Sequence, residues 1–522
     1  MPPLEAGESL RGVSAWQLIA GLPLRQWQEP LATLATAGAF FVLGDNDYTA
    51  RLGSALAGGA LVALTWRMRS HLGRRPALLG TLLLATSPSL VYYSRFLSGD
   101  IYVALLTLLL AVFLFDHSEG AKKVSLPMVT IAGALLLSSG PQAIDTVIIF
   151  GGYLAARYAT GSLKGWGEGH FSSWLPSGLF FLGTLFILHT AFLTYPQGLS
   201  LPSLQEWLAA FSKGGGESYL PWLQLAAYEP LALFLGLVGA TQAVALWRKN
   251  GEEGFPLFLA FWATGALLLL TLRGGRAGGY ILSASLPLTL LAAWSLGRML
   301  CQIKLTDAIL GLLFLGPGAA LLGLNLLLLN SLSGGYVSSD YIPWAVVAWG
   351  TLALLMLKAF TTRKGRYRLL ILFSAAALLE LFSFHSMISA SYVSPPQEWL
   401  GPPATSPDVP QAVNQGLDFL SLPRQGGDMG VAVDPALEAP FGWYLRKLPK
   451  VSITTNEDYA VAIVPQGGAR LKAQGQLVWQ GVVKEDPEPV AKGIGALWRW
   501  VIFREAKEVQ RKFFAVYVKE SR

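Results

Sequence analysis

The sequence has one cysteine, Cys301, in 522 residues, so no intrachain disulfide can brace the fold. Histidine is almost as scarce. His71, His117, His170, His189 and His385 form no H-x-x-H pair and no Cys/His grouping, which argues against a metal centre built on those ligands. No G-x-x-x-x-G-K-[ST] run is present, which removes an ATP-driven pump built on this chain alone. Charge is the largest deficit. Only 14% of the residues are Asp, Glu, Lys or Arg, where soluble domains carry about a quarter. The 56 glycines have no triplet period, which excludes a collagen, and a hydrophobic content of 53% excludes disorder. What remains is a polytopic membrane protein.

The few charges are unevenly spread. Residues 391–522 hold 15 basic and 14 acidic side chains, while the first 390 hold 24 and 18, about half that density. The change falls at Pro395-Pro396, Pro402-Pro403, Pro407 and Pro410, where repeated prolines can neither continue a helix nor supply ladder donors. The reading is a loop with interfacial helices over 1–50, a multi-span domain over 51–390, a proline-rich linker over 391–410 and a small α/β domain over 411–522. In the last, 409–422 and 488–504 read as helices, and Gly430–Val433, Ala460–Val464, Gln476–Val483 and Phe513–Val518 as strands.

Apolar stretches near 52–67, 76–93, 99–115, 125–139, 143–157, 176–194, 226–247, 255–272, 279–298, 307–329, 342–360 and 367–390 each approach the roughly 20 residues that a membrane-crossing helix needs. About twelve spans are expected, with the Ser138-Ser139-Gly140-Pro141 joint also fitting a re-entrant turn. One set of alternate loops carries 17 Lys and Arg, the other, with the segment before the first span, 7. The first set is therefore cytoplasmic, and residues 1–50 and the C-terminal domain face outward. The net charge of +7 is topological and gives no support to a nucleic-acid partner. Met1-Pro2-Pro3-Leu4 is not a signal peptide, so the amino end is expected either to cross unaided or to follow a helix upstream.

Polar chemistry on the outer face rests on few residues. Glu8 opens a Trp-bearing helix that suits the membrane interface; a first-turn acid that favours the helix dipole reads equally well. Asp100 follows Arg95 in a very short loop, and an N-cap explains it too. The same capping explanation suits Asp45 and Asp47. Glu229, before Pro230, is either a site acid or part of a helix start. Arg273 and Arg276 flank a Gly274-Gly275 turn able to hold a phosphate through guanidinium forks and backbone amides, or else they snorkel towards headgroups.

The runs from Glu8 to Trp16, Asp47-Tyr48-Thr49-Ala50-Arg51-Leu52, Gly73-Arg74-Arg75, Ser87-Pro88-Ser89-Leu90-Val91-Tyr92-Tyr93-Ser94-Arg95 and Gly99-Asp100-Ile101 together resemble the protein-mannosyltransferase-like, family 39-like members of the GT-C superfamily. Tyr228-Glu229-Pro230 and Pro440-Phe441-Gly442-Trp443-Tyr444-Leu445-Arg446 resemble the same group, closest to prokaryotic flippase-associated membrane proteins. The resemblance implies an enzyme of the cytoplasmic membrane that transfers a hexose, with inversion, from a polyprenyl-phosphate donor to a protein or glycan acceptor on the outer face. By position, Glu8 and Asp100 match the family's outer-loop acids, with Gly7 where relatives carry Asp. The implied catalytic pair is Glu8 and Asp100, one as base and the other orienting the acceptor or a divalent cation; no other cofactor is implied. Arg95, Arg273, Arg276 and Glu229 are the implied donor-binding residues. A non-catalytic protein that transports lipid-linked glycans, or scaffolds their transport, is the competing class.

Overall fold

The computed structural model describes residues 2–118, 126–160, 171–200, 202–212, 217–250, 254–302, 350, 365–393, 398–421, 430–448, 451–453, 461–467, 476–487, 500–501, 504 and 509–518. The expected span 307–329 lies outside these residues, as do all of 342–360 but residue 350 and most of the helix expected over 488–504.

The chain opens with α1 (Ala6–Ala20), α2 (Pro30–Leu43) and α3 (Asp47–Arg67). Pro30 starts α2, Gly44 ends it, and everything between is apolar or small. This helix packs against α1 and α3 and leaves Phe41, Val42 and Leu43 exposed. Next come α4 (Arg69–Leu72), α5 (Arg74–Thr86) and α6 (Pro88–Ser94). Ser87 caps α6 by accepting the Leu90 amide, Pro88 sets its first turn, and α6 bends 61° from α5. The expected span 76–93 is thus two helices, either a broken span or a re-entrant pair.

Then follow α7 (Asp100–Ser118), α8 (Leu126–Leu137), α9 (Ala143–Ala159), α10 (Phe171–His189), α11 (Pro202–Ser212), α12 (Leu220–Tyr228), α13 (Pro230–Asn250), α14 (Phe255–Arg273), α15 (Ile281–Gln302) and α16 (Gly365–Ile388). By length and composition three helices among the described residues can cross a membrane. They run over Pro230–Lys249, Phe255–Arg273 and Gly278–Cys301, with the α5–α6 pair a fourth if counted as one span. The helical bundle is the expected one, but twelve crossings are not counted in it. Its core runs from Ala57 and Leu61 through Phe115, Phe150, Phe258 and Trp262 to Leu288 and Leu291. Gly236 and Gly239 let α13 lie directly on the backbone of Leu288 and Leu291 in α15, the close packing that small residues allow between apolar helices.

The C-terminal unit is a six-stranded mixed sheet with β1 (Ala404–Thr405), β2 (Val431–Val433), β3 (Val451–Ile453), β4 (Val461–Pro465), β5 (Gln476–Pro487) and β6 (Val509–Val518), together with α17 (Asp408–Ser421) and α18 (Glu438–Tyr444). The strand order is β1-β5-β6-β4-β2-β3, parallel where β2 meets β3 and β4 and antiparallel elsewhere. Its core is Val409, Val413, Val431, Val433, Phe441, Ile463, Phe514 and Val516. Trp399 and Leu400 are buried, the Trp399 amide donates to the Tyr228 hydroxyl, and Tyr93 donates to the Leu400 carbonyl.

A second contact fixes the unit from the other side. Trp443 lies on Gly12 of α1, where a Cβ would meet its ring at 3.0 Å, and stacks on Phe40 of α2 with centroids 5.5 Å apart. Its indole N–H donates to Asp47 at 2.8 Å, while Arg446 and Lys447 bind Asp45 at 2.8 and 3.0 Å. Capping does not account for these two acids. Asn46 is the cap of α3, accepting from the Tyr48 and Thr49 amides, and Asp45 and Asp47 receive the C-terminal unit.

Candidate functional site

The site is built on the five residues from Arg95 to Gly99 that join α6 to α7. The Leu97 amide donates to Glu8 Oε1 at 2.7 Å, the Leu97 carbonyl accepts from Arg11 at 3.0 Å, and the Gly99 amide donates to Glu29 at 2.7 Å. Glu29 is in turn ion-paired with Arg11 at 2.5 Å. From the far side Gly99 lies against the Ser139 carbonyl so closely that no Cβ would fit. The Ser138–Pro141 joint is therefore a wall of the site, whichever way it meets the membrane.

Glu8 is completely buried. Besides Leu97 it accepts from the Glu5 amide at 3.0 Å and takes the Arg51 guanidinium on both oxygens at 2.7 and 2.5 Å. Arg51 is satisfied further by the Pro2 and Pro3 carbonyls at 2.9 and 3.2 Å. Four donors thus occupy the Glu8 carboxylate. Asp100 begins α7, accepts from the Gln142 side-chain amide and presses on Gly279, which has no room for a side chain. With Thr107, Thr146 and Ser283 it lines a small cavity.

The arginines expected to meet a phosphate divide. Arg273 is buried, forks Asp145 at 2.9 and 2.5 Å, and is stacked over Tyr280 and Phe211 at 3.9 and 4.7 Å. Arg276 binds Asp486 of the sheet unit at 2.7 Å. Arg95 stacks on Tyr392 at 3.8 Å and has no carboxylate partner among the described residues. Glu229 accepts from the Ser87 hydroxyl at 2.6 Å and the Ser89 amide at 3.0 Å, so it anchors the start of α6. Of the six expected residues, Glu8 and Asp100 brace or flank the 95–99 loop, Arg95 lies in it, Glu229 anchors the helix before it, and Arg273 and Arg276 are engaged elsewhere.

The residue that local sequence reading passes over is Glu5. It lines a small cleft together with Arg51, Tyr92, Arg95, Ser391 and Thr405. Its Oε2 is buried and has no hydrogen-bond partner among the described residues. Burial raises its carboxyl well above the ordinary range and the Glu8 charge adds to this, against the smaller opposing pull of Arg51 and Arg11. Thr405 also lines a larger neighbouring cleft between α1 and the sheet, where Gln26, Glu438, Lys484 and Lys512 meet. A cation does not fit these carboxylates. Arg51 holds Glu8, Arg11 holds Glu29 and Gln142 holds Asp100, and no group of three or more His, Cys, Asp or Glu able to bind a metal occurs among the described residues.

The family model described as dolichyl-phosphate-mannose-protein mannosyltransferase matches residues 28–165, the stretch that carries Glu29, Arg51, Arg95, Asp100 and Gln142. No curated protein matches the chain in sequence. Among solved structures, ArnT from Cupriavidus metallidurans bound to undecaprenyl phosphate is similar with a TM-score of 0.52 at 15% identity, covering 85% of this chain and 81% of that one. The apo state of the same protein gives 0.49 at 16% identity over the same shares. The chain thus shares an overall fold with that undecaprenyl-phosphate-bound structure over most of its length, and residues 28–165 match the mannosyltransferase family model.

Proposed function

We propose that the protein is a membrane glycosyltransferase that moves a sugar from a polyprenyl-phosphate donor to an acceptor hydroxyl, with Glu5 as general base and Arg95 as the cation that receives the donor phosphate. The observation that carries this is the shared cleft, lined both by a carboxylate oxygen and by a guanidinium that have, among the described residues, no hydrogen-bond partner and no carboxylate partner respectively. The similar structure that holds undecaprenyl phosphate supports the donor class.

The donor brings its own leaving group. The acceptor oxygen forms a bond to the anomeric carbon and its proton passes to Glu5. The anomeric carbon–oxygen bond breaks, and the electron pair leaves with the polyprenyl phosphate, whose growing charge Arg95 meets. One direct displacement inverts the anomeric centre. General-base help of this kind contributes roughly 10²–10⁴-fold, and preorganised charge a similar or larger factor. Glu8, Arg11, Glu29 and Arg51 act by fixing the 95–99 loop, so we assign Glu8 a positioning part. Asp100, Gln142 and Ser283 hydrogen-bond the hydroxyls of the donor sugar, which we take to be a hexose. A protein or glycan acceptor approaches through the cleft between α1 and the sheet, on the outer face of the cytoplasmic membrane.

The test is incubation of the purified chain with a panel of polyprenyl-phosphate sugars, reading released polyprenyl phosphate. Release that depends on Glu5 supports the enzyme. No release from any donor, with donor binding intact, favours the scaffold or transport class.

A further inference from the structure

The larger cleft between α1 and the sheet has a basic wall that the transfer chemistry does not use. Lys484 of β5 and Lys512 of β6 are direct cross-strand partners, and both line the cleft. Like charges placed directly opposite on neighbouring strands destabilise a sheet. A shift in register between Val482 and Lys484 lies just before the pair, the kind of bulge that re-aims a side chain. Burial lowers the Lys484 ammonium below its ordinary value and the Lys512 charge adds to this, against the pull of Asp486. The acids nearby are engaged elsewhere. Asp486 binds Arg276 and Glu485 binds Arg511, each at 2.7 Å, Asp408 accepts the Val482 amide at 2.8 Å, and Glu438, on the same cleft, is 3.7 Å from Arg25. Neither lysine has a carboxylate partner among the described residues.

The edge strand beside the lysines offers a main chain. The Ser406 amide donates to the Val483 carbonyl at 2.9 Å, and Thr405 is the residue opposite Lys484. In an antiparallel ladder the residue next to such a hydrogen-bonded pair turns its own N–H and C=O away from the partner strand. Thr405 therefore directs both away from β5, and it lines this cleft as well as the one that holds Glu5. Pro403 and Pro407 fall on the same alternation and bring no N–H. Between 403 and 407 that edge thus has Thr405 as its donor, enough for a single bridge to an extended peptide and too little for pairing with another sheet.

We propose that the acceptor is an acidic polypeptide segment: its main chain bridges to Thr405, and Lys484 and Lys512 take a carboxylate beside the residue presented to Glu5. This rests on the transferase reading, but binding alone tests it. The full chain in detergent, without donor, is titrated by fluorescence anisotropy with a labelled peptide that carries a serine among aspartates, and with the same peptide carrying asparagines instead. The acidic peptide should bind about tenfold more tightly at low salt, the order expected of two partly exposed ion pairs, and the margin should shrink as salt rises. The margin should vanish in Lys484→Gln/Lys512→Gln and return in Lys484→Arg/Lys512→Arg. Methylating the peptide amides next to the serine should weaken binding of either peptide to the unaltered protein, because the bridge to Thr405 is lost. Equal affinity for the two peptides, an acid preference that survives the glutamine double variant, or indifference to methylation overturns the proposal. So does binding of an anionic glycan through the same lysines with no peptide bound. Acid-preferring binding with no transfer to the bound peptide from any donor would instead sink the enzyme and leave the peptide site standing.

Discussion

Arg51 forks the Glu8 carboxylate, Nε to Oε1 at 2.7 Å and Nη2 to Oε2 at 2.5 Å, with both side chains almost wholly removed from solvent. Breaking a buried pair by deleting one partner leaves an uncompensated charge and costs about 3–5 kcal/mol. Arg51→Ala is therefore expected to lower the melting temperature of the purified protein and to abolish transfer together with it. Glu8→Leu combined with Arg51→Met should recover much of the melting temperature and none of the activity. A full melting temperature in Arg51→Ala would show that the fork does not hold the loop.

Glu5 should behave in the opposite way. Glu5→Gln removes a charge whose Oε2 has no partner among the described residues, so the melting temperature should hold while transfer falls by roughly 10²–10⁴-fold. The pH profile adds a second test. A base must be ionised, and burial raises the Glu5 carboxyl above the ordinary range. The wild-type rate should therefore climb with pH along a limb displaced upward from that of an exposed glutamate. The residual rate of Glu5→Gln should lack that limb.

Arg95 and Arg273 should separate binding from stability. Arg95→Ala is expected to raise KM for the polyprenyl-phosphate sugar with the fold intact, because Arg95 contributes a ring stack and no ion pair among the described residues. Arg273→Ala strands the buried Asp145 and should register as a loss of melting temperature before any kinetic effect can be measured. The same KM in Arg95→Ala and wild type would remove it from the donor site.

Trp443 is the point at which the C-terminal unit can be released. Trp443→Ala should cost about 3–5 kcal/mol, the range for emptying a large aromatic site. Gly12→Val should act from the other side by pushing the ring away. Trypsin cleavage after Arg446 and Lys447, which bind Asp45 in the docked state, reads both variants. Unaltered cleavage in either would place the docking energy elsewhere, at Trp399 and Tyr228.

Apolar runs marked most helices of the bundle, because membrane burial writes itself into continuous stretches. The strands over 431–433, 461–465, 476–487 and 509–518 were similarly visible from their β-branched and aromatic residues. The site was legible only as a neighbourhood. Asp100 and Arg95 drew attention because an outer loop of so few residues carried both charges. Nothing local distinguishes Glu5 from Glu8, and the difference comes from Arg51, forty-three residues away from Glu8. Glu29 and Gln142 were missed for the same reason, since their partners Arg11 and Asp100 lie eighteen and forty-two residues off. Asp45 and Asp47 read as caps until residues about four hundred positions later were seen to bind them.

The seat of Trp443 on Gly12 also sets an order of events in time. Synthesis delivers α1 first and its indole cover more than four hundred residues later, so during most of translation the face of α1 that meets the C-terminal unit has nothing to lie against. The Leu4 amide waits just as long for the Tyr444 hydroxyl that receives it. Contacts of such sequence separation form late. A nascent chain halted after residue 142 and before residue 443 would hold the Arg95–Gly99 loop yet lack the wall that closes on α1. Maturation of the cleft is thus tied to completion of the polypeptide.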